Sequence, residues 1–471
     1  MLDPRVVDEL RAIVGPAWVL DSEADRAAYA YDGAPGYRSL PDAVVFPGAT
    51  EQVQAVVRLA AREGIPLLPR GQATNLSGGT VPVEGGIVLV MTRMNRILEL
   101  DRENLTVTVE PGVITAQLQR QVEAEGLFYP PDPGSVAVST IGGNVAENAG
   151  GLRGLKYGVT GDYVMGLEAV LANGERITTG GKNVKDVAGY DLTRLLVGSE
   201  GTLAIITRII LRLIPLPPAR QVALAVYTRL EEAARSVERI IAARMLPATL
   251  EFLDQGTIQA VEAFARVGLP TDAQAVLLIG QDGPEEQVAN DIAAAAAICR
   301  EAGAVRVEVG ASPEEGDRLM AARRAALSAL ARIRPTTILE DATVPRARLV
   351  EMLQAIQEAA ARHRVTICTF GHAGDGNLHP TCLTDERDRE EMARVEAAFE
   401  DIFRAAIQLG GTITGEHGVG LAKQNYLEWK VGPAGMAAMR AIKEALDPQN
   451  LLNPGKILPR QRPRRLVVRQ G

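Results

Sequence analysis

The sequence predicts an α+β fold in two halves followed by a returning tail, on three observations. Short strands and Gly-rich loops alternate through the first half. Longer strands and amphipathic helices alternate beyond a proline-dense junction at Pro215, Pro217 and Pro218, where proline interrupts regular structure. Three of the four histidines are concentrated in two short Gly-rich motifs near the end of the chain. With 471 residues there is material for two or three domains and an ample core. The expected divisions are residues 1–216, 217–410 and 411–471.

Composition excludes several classes. A formal charge of −8 and a pI of about 5.4 argue against a nucleic-acid binder. The first residues carry Asp3, Arg5, Asp8 and Glu9 without an apolar run, so no signal peptide is expected. The longest apolar stretches, Ile292 to Cys299 and Ala275 to Ile279, are too short to span a bilayer. Cys299, Cys368 and Cys382 have neither disulfide nor zinc spacing, which suits a reducing cytoplasm. Five arginines between Arg460 and Arg469 read as a solvated terminus or as a contact to an acidic partner or membrane surface. The expected location is cytoplasmic, or peripheral to a membrane.

In chain order, Pro4 to Val14 reads as an amphipathic helix. Ala43 to Phe46 reads as a strand, and Thr50 as the cap of a helix to about Glu63 that Gly64 stops. Ile65 to Leu68 is a buried strand running into PRGQATNLSGG, Pro69 to Gly79. Strands at Ile87 to Met91, Ile97 to Leu100 and Leu105 to Val109 precede a helix from Ile114 to Glu125. In the first loop Gly71, Gly78 and Gly79 let successive N–H groups turn into one concavity suited to an anion such as pyrophosphate. Thr74, Asn75 and Ser77 add donors. Alone, this loop reads equally well as a structural turn. It is not GxGxxG opening a helix, so a Rossmann site is not indicated. YAYDGAPGYR, Tyr29 to Arg38, is a candidate for the mouth of a site.

A second Gly-rich run follows. PPDPGS, Pro130 to Ser135, leads through Ser139 and Thr140 into IGGNVAENAGG, Ile141 to Gly151, which is too long for one turn. GDYVMGLEAVLANGE reads as a strand and hairpin. GSEGTLAIIT reads as a tight turn entering a long strand, with Thr207, Ile209 and Leu211 on one face and Arg208, Ile210 and Arg212 on the other. Three Gly-rich backbone surfaces in one half suit a large ligand with phosphates and a planar ring, because a Cβ would clash at such close approach.

Beyond the junction, Val222 to Val226, Thr249 to Leu253, Ala275 to Ile279 and Val305 to Val309 read as strands. Leu230 to Arg244, Glu285 to Gly303 and Glu314 to Leu330 read as helices, which predicts an antiparallel sheet covered by helices on one face. Helices at Arg346 to Arg362 and Arg387 to Leu409 continue this half. Val365 to Phe370 is a buried strand entering GHAGDGNLHP, whose Gly374 to Asn377 is turn chemistry. His372 and His379 therefore flank a turn and can face one another. In GEHGVG, Gly415 to Gly420, the neighbours Glu416 and His417 diverge, so one can ligate a metal while the other faces a substrate. Two histidines and a carboxylate leave open positions on a divalent cation, as a catalytic site requires. Arg323 and Arg324 can offer an anion a planar, bidentate donor, or can belong to a solvated helix face.

PRGQATNLSGG, PPDPGS, TIGGNVAENAGG, KYG, GSEGTLAIIT, GHAGDGNLHP, GEHGVG and LLNPGK occur in this order between about Ala43 and Lys456. On these motifs the chain resembles the FAD-linked oxidases of the vanillyl-alcohol oxidase/PCMH superfamily, in the branch of glycolate oxidase FAD subunits and D-lactate dehydrogenases. The resemblance implies a PCMH-type FAD-binding domain over 1–216 and an α+β substrate domain with an antiparallel sheet over 217–410. A helical segment over 411–471 would return to the flavin. It implies that Pro69, Arg70, Gly71, Thr74, Asn75, Ser77, Gly78 and Gly79 wrap the FAD pyrophosphate. Pro131, Ser135, Ser139, Gly142, Gly143 and Asn144 would line the nucleotide and flavin, Glu200, Gly201 and Ile205 the adenine side, and Asn453 the neighbourhood of the ring. Some members tether FAD through a His of this domain. Here no His precedes His363 and no Cys precedes Cys299, so the implied FAD is non-covalent.

The resemblance further implies a divalent metal, Zn²⁺, Mn²⁺ or Fe²⁺, on His372, His379 and Glu416. His417 would be the general base, and Arg323 would hold the substrate carboxylate with Arg324 a bystander. Asn377 and Asp375 would orient the metal ligands. The implied reaction oxidises a small D-2-hydroxy acid, glycolate or D-lactate, to the 2-oxo acid with hydride transfer to FAD. Electrons then pass to a partner subunit, a quinone, an electron-transfer flavoprotein or oxygen, and a homodimer and a hetero-oligomer are both compatible. A glutarate-specific relative carries a Lys near Ile338 to Asp341. Leu339 and Glu340 stand there instead, which favours a monocarboxylate. Two other readings compete. A non-catalytic FAD-binding subunit of a larger oxidase complex would have no need of the histidine motifs, and a metal-dependent hydrolase would leave the ring-sized Gly-rich surfaces without a ligand.

Overall fold

The computed structural model describes residues 2–459, so the arginine-rich stretch from Arg460 lies outside the described residues. The first half is built on two sheets. One orders the strands Val19–Leu20, Ala43–Val45, Ile87–Val90 and Leu67–Arg70, the last three parallel. The other is antiparallel, in the order Ile97–Asp101, Thr106–Val109, Ile205–Arg212, Val164–Val170 and Arg176–Gly180. Its long strand shows the expected alternation: Thr207, Ile209 and Leu211 are buried while Arg208 and Arg212 are exposed.

Two local expectations are corrected. Thr50 is the first residue of the helix Thr50–Glu63 rather than its cap. Its hydroxyl donates to the buried Glu168 Oε1 at 2.9 Å. IGGNVAE, expected as loop, is the helix Ile141–Glu147. Thr140 Oγ1 caps it by accepting from Gly143 N, and Ile141 and Val145 are buried, so capping and packing outweigh two helix-weakening glycines.

The second half is an eight-stranded antiparallel sheet. Its main path runs Arg306–Val309, Ala219–Tyr227, Ala275–Gly283, Thr249–Asp254, Thr366–His372, Asn377–Thr384 and Thr336–Leu339, with Ala342–Thr343 also paired to Asn377–Thr384. Helices cover both faces, not one. In Ala275–Gly283, Leu277 and Ile279 join the core formed with residues of Leu230–Ala242, Glu285–Glu301, Leu349–His363 and Arg389–Gln408. Val276 and Leu278 join a second core with residues of Gln255–Ala265, Pro313–Arg324 and Ala326–Leu330. The unbroken run AVLLI is what a strand buried on both faces looks like in sequence. The single helix expected from Glu314 to Leu330 is divided at Ala325.

The chain end does return to the first half. After a helix broken at Gly432, where φ is 69° and Pro433 follows, Leu451 to Asn453 run beside the edge strand Leu67–Arg70. Leu67 N donates to Leu451 O at 2.8 Å, and Asn453 N donates to Leu67 O at 2.7 Å. Since Leu67–Arg70 feeds directly into the first Gly-rich loop, this pairing sets LLNPGK against that loop.

Candidate active site

The two central histidines come from one hairpin. Strands Thr366–His372 and Asn377–Thr384 pair with Phe370 opposite His379 and His372 opposite Asn377. Side chains at 370, 372, 377 and 379 therefore share one face of the sheet. The His372 and His379 rings stand edge to face with centroids 5.0 Å apart.

Two buried carboxylates orient the imidazoles. Glu251, on the neighbouring strand, places Oε1 2.8 Å from His372 Nδ1. Asp341 Oδ1 lies 3.1 Å from His379 Nδ1 and 3.1 Å from His417 Nδ1; the second contact is out of line for a hydrogen bond. Asp341 Oδ2 gathers the second motif. It accepts from Thr414 Oγ1 at 2.9 Å and from the backbone N–H of Gly415, Glu416 and His417 at 3.0, 3.2 and 3.1 Å. The fully buried Lys423 sits 3.2 Å from Glu340 Oε2 and 3.5 Å from Asp341 Oδ2, balancing the charge.

With Nδ1 of His372 and His379 hydrogen-bonded and that of His417 facing Asp341, the Nε2 atoms converge. Those of His372, His379 and His417 lie 3.2, 3.4 and 3.8 Å from a single oxygen, Glu416 Oε1. Imidazole nitrogens around a carboxylate, each imidazole backed by a second carboxylate, fit a divalent cation. Ligand atoms of Asp341, His379, Glu416 and His417 all fall within 4.8 Å of one another. Asp341 is saturated with protein donors, so it suits support rather than ligation, and His372 Nε2, outside that group of four, lies 3.2 Å from Glu416 Oε1. Burial drives the His417 imidazole down to about 4, leaving it neutral near neutral pH.

Sequence reasoning missed Glu251 and Asp341 and named Asn377 and Asp375 in their place. Asn377 Oδ1 instead accepts from Thr343 Oγ1 at 2.8 Å, and Asp375, pushed up to about 7 by burial, lies against Gly154. A signal was present. Glu251 is a lone acid inside the apolar run TLEFLD, and Glu340 and Asp341 end the strand segment TTIL; charges so placed must be paired.

A cavity of about 380 Å³ joins this cluster to the Gly-rich loops. Pro69, Arg70, Gly71, Thr74, Asn75 and Gly79 line it, as do Ser135, Ser139, Gly142, Gly143 and Asn144. So do Glu200, Gly201 and Ile205, together with Arg323, His372, His379, Glu416 and His417. Ser77, Gly78, Pro131 and Asn453 are not among the lining residues and tie the surrounding segments together. Ser77 O accepts from the N–H of Leu421 and Ala422, Gly78 packs on Leu421, and Pro131 O accepts from Gln119 Nε2 at 2.8 Å. Asn453 Nδ2 donates to Gly79 O and Glu200 O at 2.9 and 2.7 Å, fastening two lining loops together.

Glu200 has a second duty. Its carboxylate accepts from Val419 N and Gly420 N at 2.6 and 2.7 Å, which anchors the loop carrying Glu416 and His417. Burial, then the charge of Glu200, pushes Glu147 well above the usual carboxylate range. The segment Tyr29 to Arg38 packs on the first loop, where Asp32 Oδ2 accepts from Asn75 Nδ2 at 2.7 Å and Thr80 N at 3.2 Å. None of that segment lines the cavity.

The cavity suits a flavin nucleotide on two structural grounds. A Cβ at Gly134 would meet no described atom within 4 Å, and one at Gly143 only Thr140 Oγ1 at 3.1 Å, so both glycines leave room for a ligand. Arg323 Nε is buried without a hydrogen-bond partner among the described residues, and Nη2 lies 2.7 Å from the buried Glu251 Oε2, out of line for a hydrogen bond, so this cavity-lining guanidinium keeps a donor for a ligand. Arg324 is hydrogen-bonded to Asp132 at 2.6 Å.

Known proteins match the same layout. The family model "FAD binding domain" matches residues 41–180, and "FAD linked oxidases, C-terminal domain" matches residues 216–457. The chain is 56% identical over 468 residues to the glycolate oxidase subunit GlcD of Bacillus subtilis, covering 99% of this chain and 100% of that one. It is 37% identical over 465 residues to a D-lactate dehydrogenase of Anaerostipes hadrus, covering 96% and 97%. Among solved structures, p-cresol methylhydroxylase with substrate bound superposes with a TM-score of 0.81 at 19% identity, over 97% of each chain, a likeness of fold alone. By its two matched domains and its relatives, the chain belongs to the FAD-linked oxidases.

Proposed function

We propose that this protein oxidises a small D-2-hydroxy acid, glycolate or D-lactate, to the 2-oxo acid, using non-covalent FAD and a divalent metal. The observation that carries this reading is the convergence of three imidazole Nε2 atoms on Glu416 Oε1 in the cavity that the Gly-rich loops and Arg323 also line. The names of the relatives, glycolate oxidase subunit and D-lactate dehydrogenase, support it. Residues 1–216 would hold FAD and 217–410 the substrate, with 411–471 completing the site through Glu416 and His417.

FAD in the cavity would supply the two-electron acceptor for the Cα hydride. A Zn²⁺, Mn²⁺ or Fe²⁺ ion on His372, His379 and Glu416 would supply Lewis acidity toward the substrate hydroxyl. Arg323, whose Nε has no partner among the described residues and whose Nη2 is shared with Glu251, holds the substrate carboxylate. His417, neutral, takes the hydroxyl proton as the Cα–H bond breaks and the carbonyl forms. Asp341, 3.1 Å from His417 Nδ1, stabilises the imidazolium that results. The lining residues Leu76, Leu152, Leu327, Leu339 and Phe370 are apolar. Asp132 neutralises Arg324, and Arg70 is spent on the carbonyls of Tyr31 and Thr80. These features favour a single carboxylate and a short apolar substituent.

The electrons would leave to a partner subunit, a quinone or an electron-transfer flavoprotein. Among the described residues no helix is long and apolar enough to cross a membrane, and a cytoplasmic site of action, peripheral to the membrane or not, is part of the proposal.

Anaerobic addition of D-lactate or glycolate should bleach the visible flavin band of the purified protein, while L-lactate should not. A colourless protein that takes up no added FAD would end this reading. Arg323→Lys keeps the charge but loses the planar fork. It should lower kcat/KM by about ten- to a hundredfold, the equivalent of roughly 1.5–3 kcal/mol for hydrogen bonds to a charged group, mostly through KM. Arg324→Lys, measured by the same steady-state kinetics, should stay within about threefold of the parent, as expected for a partly exposed ion pair.

A further inference from the structure

Glu251 belongs to neither group of residues that the reaction needs, yet it touches both. It lies on the strand Thr249–Asp254, directly opposite His372 on the neighbouring strand, with 0% exposure. Its neighbours Leu250 and Phe252 are core residues. Its two oxygens part company. Oε1 is 2.8 Å from His372 Nδ1, and Oε2 is 2.7 Å from Arg323 Nη2. The second contact is out of line for a hydrogen bond, so Arg323 is held by charge. The face of Phe370, 4.7 Å from the guanidinium carbon, holds it as well. Arg323 Nε has no hydrogen-bond partner among the described residues. A carboxylate in a dry strand is costly and is retained where it specifies an arrangement.

We propose that Glu251 is a positioning residue that sets the carboxylate-binding Arg323 and the metal-binding His372 in one fixed register. This rests on the roles assigned to those two residues under the proposed function. A 2-hydroxy acid carries its hydroxyl and carboxylate on adjacent carbons. The anion site and the cation site must therefore keep a constant separation, or the Cα–H bond swings away from its acceptor. One rigid carboxylate on a central strand supplies that constancy. Through Oε1 it fixes the His372 tautomer with Nε2 facing Glu416. Through Oε2 it stops the guanidinium from rotating.

The two oxygens can be tested separately on the FAD-loaded protein. Mn²⁺ affinity is read by chelator competition, and oxalate affinity by perturbation of the flavin band at saturating Mn²⁺. Glu251→Gln keeps an oxygen to accept from His372 Nδ1–H but turns an NH₂ toward Arg323. It should leave the Mn²⁺ dissociation constant within about threefold of the parent while weakening oxalate at least about tenfold. Glu251→Ala should weaken Mn²⁺ by about 10–100-fold, the usual effect of losing a ligand's supporting partner, and weaken oxalate as well. If the alanine variant does not fold, the glutamine variant decides alone. Parent-like or tighter oxalate binding by Glu251→Gln overturns the proposal, because it would mean the carboxylate only subtracts positive charge from the anion site. Failure of the parent protein itself to bind Mn²⁺ and oxalate would instead overturn the proposed function.

Discussion

His417→Ala is expected to leave the protein yellow and metal-loaded while turnover falls by about 10²–10⁴-fold, the usual contribution of a positioned general base. The expectation follows from how little else the imidazole does. The backbone N–H of His417 makes the structural bond to Asp341, at 3.1 Å, and alanine retains it. The loop is held from its other side by Glu200 through Val419 and Gly420, which the substitution does not touch. His372, His379 and Glu416 keep their carboxylate and backbone supports. What disappears is a buried, neutral nitrogen base beside the site where the hydroxyl proton would leave. Anaerobic stopped-flow measurement of flavin reduction, with metal content and oxalate affinity as controls, isolates that loss. Reduction within tenfold of the parent rate would assign the proton to another group and remove His417 from the mechanism. The same variant answers the reading of a non-catalytic FAD-binding subunit, for which turnover would be absent in the parent as well.

The parts of this site that the sequence disclosed are those built from scarce residues in local patterns. Three of four histidines in two Gly-rich motifs stand out without any knowledge of the fold. The sequence hid whatever depended on strand order. Glu251 meets His372 across 121 residues of chain, and Asp341 meets His417 across 76, because separate strands and loops converge on one end of the sheet. Glycine counting misled at Ile141–Glu147, where a Thr140 cap and two buried aliphatic side chains make a helix of a glycine-bearing stretch. Gly78 and Asn453 have the residue types that approach a ligand, but they brace the loops that do so, against Leu421 and through the carbonyls of Gly79 and Glu200. Residue type reports that a backbone surface is tight, not which side of it the ligand occupies.

Asp341 gives the other large effect expected, and one of a different kind. Asp341→Ala would strand the N–H groups of Gly415, Glu416 and His417 and the hydroxyl of Thr414. It would also leave the buried Lys423 with Glu340 as its remaining partner. Each orphaned buried donor costs about 1–3 kcal/mol, and breaking a buried ion pair costs roughly 3–5 kcal/mol, so the alanine protein should lose its C-terminal loop or not fold. Asp341→Asn is the sharper experiment. Its one carbonyl oxygen can serve the backbone donors or the imidazoles, but not both. The NH₂ group then opposes either those N–H groups or the Nδ1–H of His379. Bound metal should weaken by about 10–100-fold, and turnover should fall at least as far, because Glu416 and His379 lose their common anchor together. The Gly-rich loops make none of these bonds, so the flavin should stay. Metal content after dialysis against chelator, set beside the visible band of the same sample, separates the two cofactors. His417→Ala keeps the metal and loses the base, whereas Asp341→Asn keeps the flavin and loses the metal. A dialysed Asp341→Asn protein with the parent's metal content would show that His379 and Glu416 hold their positions without this carboxylate, and would remove Asp341 from the support of the metal.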